Sequence, residues 1–374
     1  MEYPLFFERK SLHRFCAVAG ALCAFAVLAG SVVCAPCQGN DTTQNDAGAI
    51  TAVPAGCSRQ VGVVEPTTDA IVALLNSRAL VYADRGELDC AIEEFSRAIE
   101  LKPEFAAFYN NRGVVYRQKG EIDLAMADFD RAIYLKPEYA AAFTNRGGIY
   151  FSRQEYDRAI EEFNHAIVLD PKCAEAYNNR GGSYANKGDQ ARAIEDYNRA
   201  LHLRPDYADG HYNRGLAFLY LGNLDIAIAE FDRAIRLNPN FAAAYNSRGI
   251  ALTGAGIVGP AIEDYTRAIQ LQPDCAEYYF NRAVTLNNAG QLDRALKDYD
   301  QVIQLKPDFP AAFNNRGSIY AVEGQFDRAI QDFDEALRLM PDYAKALANL
   351  AVARAQKGTR EVAAQSSGNA AGGR

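Results

Sequence analysis

An arginine returns every 34 residues along most of this chain: Arg78, Arg112, Arg146, Arg180, Arg214, Arg248, Arg282 and Arg316. A proline keeps the same step at Pro103, Pro137, Pro171, Pro205, Pro239, Pro273, Pro307 and Pro341. A fixed period of this length constrains the fold more than any local feature. Each unit is then one supersecondary element that buries its apolar face only against its neighbours. With proline at position 32, eight full units run 72–105, 106–139, 140–173, 174–207, 208–241, 242–275, 276–309 and 310–343. They cover 272 of 374 residues, and a partial ninth unit begins at Ala344.

Within a unit the apolar spacing predicts helix, turn, helix. In the second unit Tyr109, Gly113 and Tyr116 fall on one stripe of a first helix, and Gly120 suits the left-handed turn that ends it. Leu124, Ala125, Phe129, Ala132, Ile133 and Leu135 are expected to line the second helix. Pro137 stops it by removing a backbone donor and restricting the residue before. No alternating run is long enough for a sheet, so the fold class is all-α.

The pattern resembles the tetratricopeptide repeat. The fourth unit carries its marks as Tyr177, Gly181, Tyr184, Gly188, Ala193, Tyr197, Ala200 and Pro205. The resemblance implies a right-handed superhelical solenoid, which serves as a scaffold for many partners and does not by itself name one. Departures are few: no Trp, His211 at position 4 of the fifth unit, and Gln154 where the third unit should have its turn glycine. The glycine-rich sixth unit, "TGAGIVGPAI", sets Pro260 in the first turn of its second helix and is expected to be the softest point.

The ends differ in kind. Residues 15–35 are apolar or small and follow Arg9, Lys10 and Arg14, the order of a secretory signal peptide. The run is also long enough to remain as an N-terminal membrane anchor. Either reading sends the repeats out of the cytoplasm, whereas a misassigned start would leave a cytoplasmic adaptor. Residues 36–70 read as a flexible linker, 344–357 as a capping helix and 358–374 as a disordered tail.

Charge excludes some partners. The chain carries 39 Lys and Arg against 47 Asp and Glu, a net charge of −8. That argues against nucleic acid and against docking on anionic lipid. Contact with a membrane is expected only through the N-terminal segment, if uncleaved. Of the eight cysteines, Cys173 and Cys275 share position 34 three units apart, too far to pair, and read as small half-buried residues. Cys37 and Cys57 could pair in the linker. His165, His202 and His211 have no clustered ligands, so no metal or other cofactor is expected. Tyrosines, arginines and carboxylates recur in every unit, whereas a catalytic constellation should be unique; no enzyme is expected.

Binding is the stronger class. In the family this chain resembles, positions 2, 5, 6, 9, 12 and 13 of the first helix face a concave groove. Position 6 holds Asn111, Asn145, Asn179, Asn213, Asn281, Asn315 and Asn349, with Ser77 and Ser247 in the remaining units. The column is similar to the asparagine ladder of the sugar-transferase repeats. A carboxamide both donates and accepts, so it can hold a peptide main chain whatever its sequence. Position 2 carries Glu175, Asp209 and Glu277 but no lysine, which argues against a carboxylate-clamp chaperone partner. The alternative use of the array is an architectural scaffold working through its convex face or ends.

The arginine column answers to a second one. Position 23 is acidic in all eight units: Glu94, Asp128, Glu162, Asp196, Glu230, Asp264, Asp298 and Asp332. The ninth unit lacks the acid and has Leu350 in place of the arginine. Each Arg is therefore expected to form a structural ion pair with the acid 16 residues on.

Overall fold

A computed structural model describes residues 67–371, with side chains to 362. The expected signal or anchor segment and the Cys37–Cys57 question lie outside the described residues. Seventeen α-helices follow in order, with no strand among the described residues. They are α1 (Thr68–Asp84), α2 (Leu88–Leu101), α3 (Ala106–Lys119), α4 (Ile122–Leu135), α5 (Ala140–Ser152), α6 (Tyr156–Leu169), α7 (Ala174–Asn186) and α8 (Gln190–Leu203). Beyond Pro205 come α9 (Ala208–Tyr220), α10 (Leu224–Leu237), α11 (Ala242–Gly254), α12 (Val258–Leu271), α13 (Ala276–Asn288), α14 (Leu292–Leu305), α15 (Pro310–Val322), α16 (Phe326–Leu339) and α17 (Ala344–Ala371). The chain divides into two compact bodies, one ending at Pro205 and the other beginning at Asp206. Each body is a stack of helix pairs.

Three columns close each pair. Position 24 is an aromatic ring, Phe95, Phe129, Phe163, Tyr197, Phe231, Tyr265, Tyr299 or Phe333, and all are at most 3% exposed. Positions 20 and 27, alanine everywhere except Val302, are wholly buried and let the second helix approach closely. Position 8 completes the fit. A Cβ on Gly181 would stand 2.8 Å from the Tyr197 ring, and one on Gly215 2.7 Å from Phe231. The first and seventh units carry Ala79 and Ala283 there, so this close approach is a preference that the packing can relax.

The turn after each first helix needs a left-handed residue. Glycine supplies it in seven units, with φ 86° at Gly188 for example. The third unit holds Gln154 at φ 62°, a conformation that costs a side-chain-bearing residue about 1 kcal/mol. Pro260 lies within the first turn of α12, where the missing donor is not needed.

Three expectations need correction. Leu124 is 49% exposed and points away from the core, because the alanines and Phe129 already fill the second helix's inner stripe. The first helix begins at Thr68, inside the expected linker, since the Thr67 hydroxyl caps it by accepting from the Ala70 amide at 3.3 Å. The last helix runs on to Ala371, through residues expected to be disordered, because its Ala, Gln, Glu, Lys and Arg content favours helix despite Gly358. No described helix is long and apolar enough to cross a membrane.

Candidate functional site

First helices touch the first helices of neighbouring units within each body: α3 meets α5 and α5 meets α7; α9 meets α11, α11 meets α13, and α15 meets α17. Those contacts set first helices side by side, and the asparagine column lies along their seams. The structure distributes those asparagines unequally. Asn145 is 2% exposed and its Nδ2 donates to Asn110 Oδ1 at 2.9 Å. Asn281, also buried, donates to Asn246 at 2.9 Å, and Asn349 donates to Asn314 at 3.0 Å. These are amide bridges from position 6 of one unit to position 5 of the unit before. Asn111, Asn179, Asn213, Asn315 and Asn349 are half-buried. The oxygens of Asn111, Asn179 and Asn315 accept from their neighbours Asn110, Asn178 and Asn314 at 3.3, 3.4 and 3.1 Å. The Asn315 amide donates to the Tyr299 hydroxyl at 3.3 Å.

The position-2 acids are engaged as well. Glu175 is buried against Arg204, and Glu277 lies 3.4 Å from Lys306, each cation coming from position 31 of the same unit. They are spacers between helices and not free charges on the face.

Each arginine of the column meets its own unit's acid. Asp128 takes Arg112 through both oxygens at 2.8 Å, Asp196 takes Arg180 at 2.8 and 2.7 Å, and Asp332 takes Arg316 at the same distances. Arg248 meets Asp264 at 2.7 and 2.6 Å, Arg282 meets Asp298 twice at 2.8 Å, and Arg146 meets Glu162 at 3.0 and 2.8 Å. Arg78 reaches Glu94 at 2.9 Å and Arg214 reaches Glu230 at 2.7 Å. Where position 4 is Phe or Tyr the guanidinium lies over its ring, with centroid distances of 5.6 Å for Tyr177, Phe143 and Tyr245.

The third arm of these arginines goes to the unit before. Nη1 donates to position 25 of the preceding second helix: Arg112 to Ser96 at 3.0 Å, Arg146 to Asp130 at 2.7 Å and Arg180 to Asn164 at 2.6 Å. Arg282 reaches Thr266 at 2.9 Å, Arg316 reaches Asp300 at 2.7 Å, and Arg248 bonds Asp232. Each such arginine thus ties three helices, two of its own unit and one of the last. Sequence reasoning missed this column, although position 25 is a polar acceptor in every unit, from Ser96 to Asp334. The final acceptor is not wasted. Leu350 replaces the arginine in α17, and Arg354 one turn later reaches Asp334 at 3.1 Å.

Electrostatics set two classes of acid apart. Burial pushes the Asp196 carboxyl up against the pull of Arg180, and does the same to Asp264 beside Arg248. At Glu230 burial also pushes upward, but hydrogen bonds from His211 and Arg214 hold the carboxyl below its ordinary value. Among the described residues no group of His, Cys, Asp and Glu could hold a metal ion. Cys275 carries a free thiol, so it does not pair with Cys173.

The 34-residue columns, the helix pairs and the stacked first helices define a helical-repeat scaffold. Tetratricopeptide-repeat models match residues 106–139, 212–274, 264–297 and 310–343, and a TPR-repeat model matches 79–120, 147–188, 183–222 and 285–322. The chain belongs to the tetratricopeptide-repeat family. Among solved structures it is similar to the APC/C hetero-tetramer Cut9–Hcn1, with TM-score 0.60 and 19% identity over 75% of this chain. It spans 55% of that chain's length. It is similar to Pseudomonas aeruginosa pilF at TM-score 0.51 and 19% identity, over 56% of this chain and 96% of that one. YrrB, a TPR protein with an unusual peptide-binding site, is 26% identical over 50% of this chain and 97% of its own, with TM-score 0.44. The first two likenesses bear on the fold alone. No curated protein matches the chain.

Proposed function

We propose that this protein is a non-catalytic scaffold, exported from the cytoplasm, that holds an extended segment of a partner protein along its first-helix face. The observation that carries this reading is the row of half-buried carboxamides at position 6. A half-buried amide keeps hydrogen-bonding capacity where an extended main chain can reach it. Asn145 and Asn281 are left out of the contact set, because they are buried and spent on bridges between units. The export half of the proposal rests on the charge and apolar order of residues 9–35 and nothing else.

The test uses Asn111→Ala with Asn179→Ala in the full chain, against peptides selected from a phage-displayed random library on the wild-type protein. Two lost contacts at about 0.5–1.5 kcal/mol each should weaken binding roughly fivefold to a hundredfold, with little change in melting. Unchanged binding by the double variant, with binding lost instead on substituting exposed second-helix residues such as Tyr134, would move the site to the other face.

A further inference from the structure

In the body ending at Pro205 the first-helix cations are matched one by one. Arg78, Arg112, Arg146 and Arg180 hold the position-23 acids, and Lys119 holds Asp89 at 2.7 Å. Arg117 is the exception: its guanidinium makes no ion pair or hydrogen bond among the described residues, and its Nη1 is shielded from solvent with no partner. It sits at position 12, in the last turn of α3. One unit on, the same position is Phe151, whose ring lies 3.5 Å from where a Cβ on Gly182 of the next first helix would stand. In the other body the same position is Thr253, whose hydroxyl meets Thr285 of the next first helix at 3.1 Å. Position 12 therefore lies at the seam between consecutive first helices. In the register of Phe151 against Gly182, the counterpart of Arg117 on the next first helix is Gly148.

We infer that Arg117 is a specificity-determining residue of the first-helix face, taking the carboxylate of an Asp or Glu side chain on the bound peptide. This rests on the peptide-binding reading above. The surrounding columns make the choice of charge. Positions 2, 5, 6, 9, 12 and 13 of the first four units hold no second cation, and positions 9 and 13 of Arg117's own unit and the next, Val114, Gln118, Gly148 and Ser152, are neutral. Arg117 is half-buried and its guanidinium has no partner, so it keeps donors that an incoming carboxylate can take up. A single arginine suits one negative charge, whereas phosphate groups are held by clusters of arginines.

Selection of the random library on wild type, Arg117→Glu and Arg117→Gln decides the matter. Wild type should enrich peptides with Asp or Glu at one fixed place, and Arg117→Glu should replace that residue by Lys or Arg. Arg117→Gln should lose the charge preference while still enriching peptides. The acidic wild-type peptide should bind Arg117→Gln about tenfold to a hundredfold more weakly, and its Asp→Asn or Glu→Gln form should bind both proteins alike. Identical consensus sequences from all three proteins, with binding still abolished by Asn111→Ala/Asn179→Ala, overturn the role of Arg117 and leave the face as the site. Peptides indifferent to both sets of substitutions overturn the first-helix reading itself. A phosphoserine form that outbinds the acidic peptide also overturns the inference, in favour of phosphate.

Discussion

At the scale of single residues, partly buried charges with the same partner chemistry behave in opposite ways. The Glu230 carboxyl sits below its ordinary value in the folded chain, so its contribution to stability is complete above the unfolded value, roughly 4.3. That contribution is lost as pH falls through the lower folded value. Asp196 sits above its ordinary value, so the folded chain binds its proton more readily than the unfolded chain, and acidification through the same range favours folding at this site. Urea midpoints measured from about pH 6 to pH 3 should therefore separate two variants. Glu230→Gln should flatten the acid-side loss of stability, whereas Asp196→Asn should leave it as steep or steeper. Equal flattening by both would show that the His211 contact does not distinguish them.

At the scale of elements, the arginines are the joints. Arg180 is 20% and Asp196 6% exposed, and the same guanidinium also holds Asn164 on the helix before. Arg180→Leu strands the Asp196 carboxylate and should cost about 3–5 kcal/mol, while adding Asp196→Leu should recover most of it. Chemical denaturation of the three proteins checks this, and a double variant no more stable than the single one would refute the pairing. The two-column pairing was legible in the sequence because both residues lie in one unit at a constant offset. The third arm was not, because a unit read by itself cannot show which side chain of the previous unit its arginine meets. Burial at the seams was hidden for the same reason: nothing inside unit three marks Asn145 as inaccessible until Asn110 is placed beside it. Asp157 on a second helix likewise meets Lys187 of the next unit while staying exposed, a contact between units that one unit cannot show.

At the scale of the whole molecule, the array must end somewhere, and α17 provides the end. Ala346, Leu350 and Ala353 are buried on it, against Phe313, Tyr320, Phe333 and Ala336. Leu347 and Val352 on the same helix are about half exposed, since the helix turns them outward. Ending the chain at Asp342 should uncover that apolar patch and lower solubility, because terminal repeats need a solvating cap. Light scattering on the truncated protein checks it, and a monomeric, equally stable product would show that α17 is dispensable. The repeat count and the helix pairs followed from periodicity, which survives any local substitution; the extent of α17 did not, because it has no further unit to set its length.

Hydrogen–deuterium exchange on the full chain reads directly which helices meet a partner. With a library-selected peptide bound, protection should rise along α3, α5 and α7, strongest around Asn111, Arg117 and Asn179, while α4 and α6 exchange as before. Protection confined to α4 and α6, with the first helices unchanged, would contradict the first-helix face as the binding site.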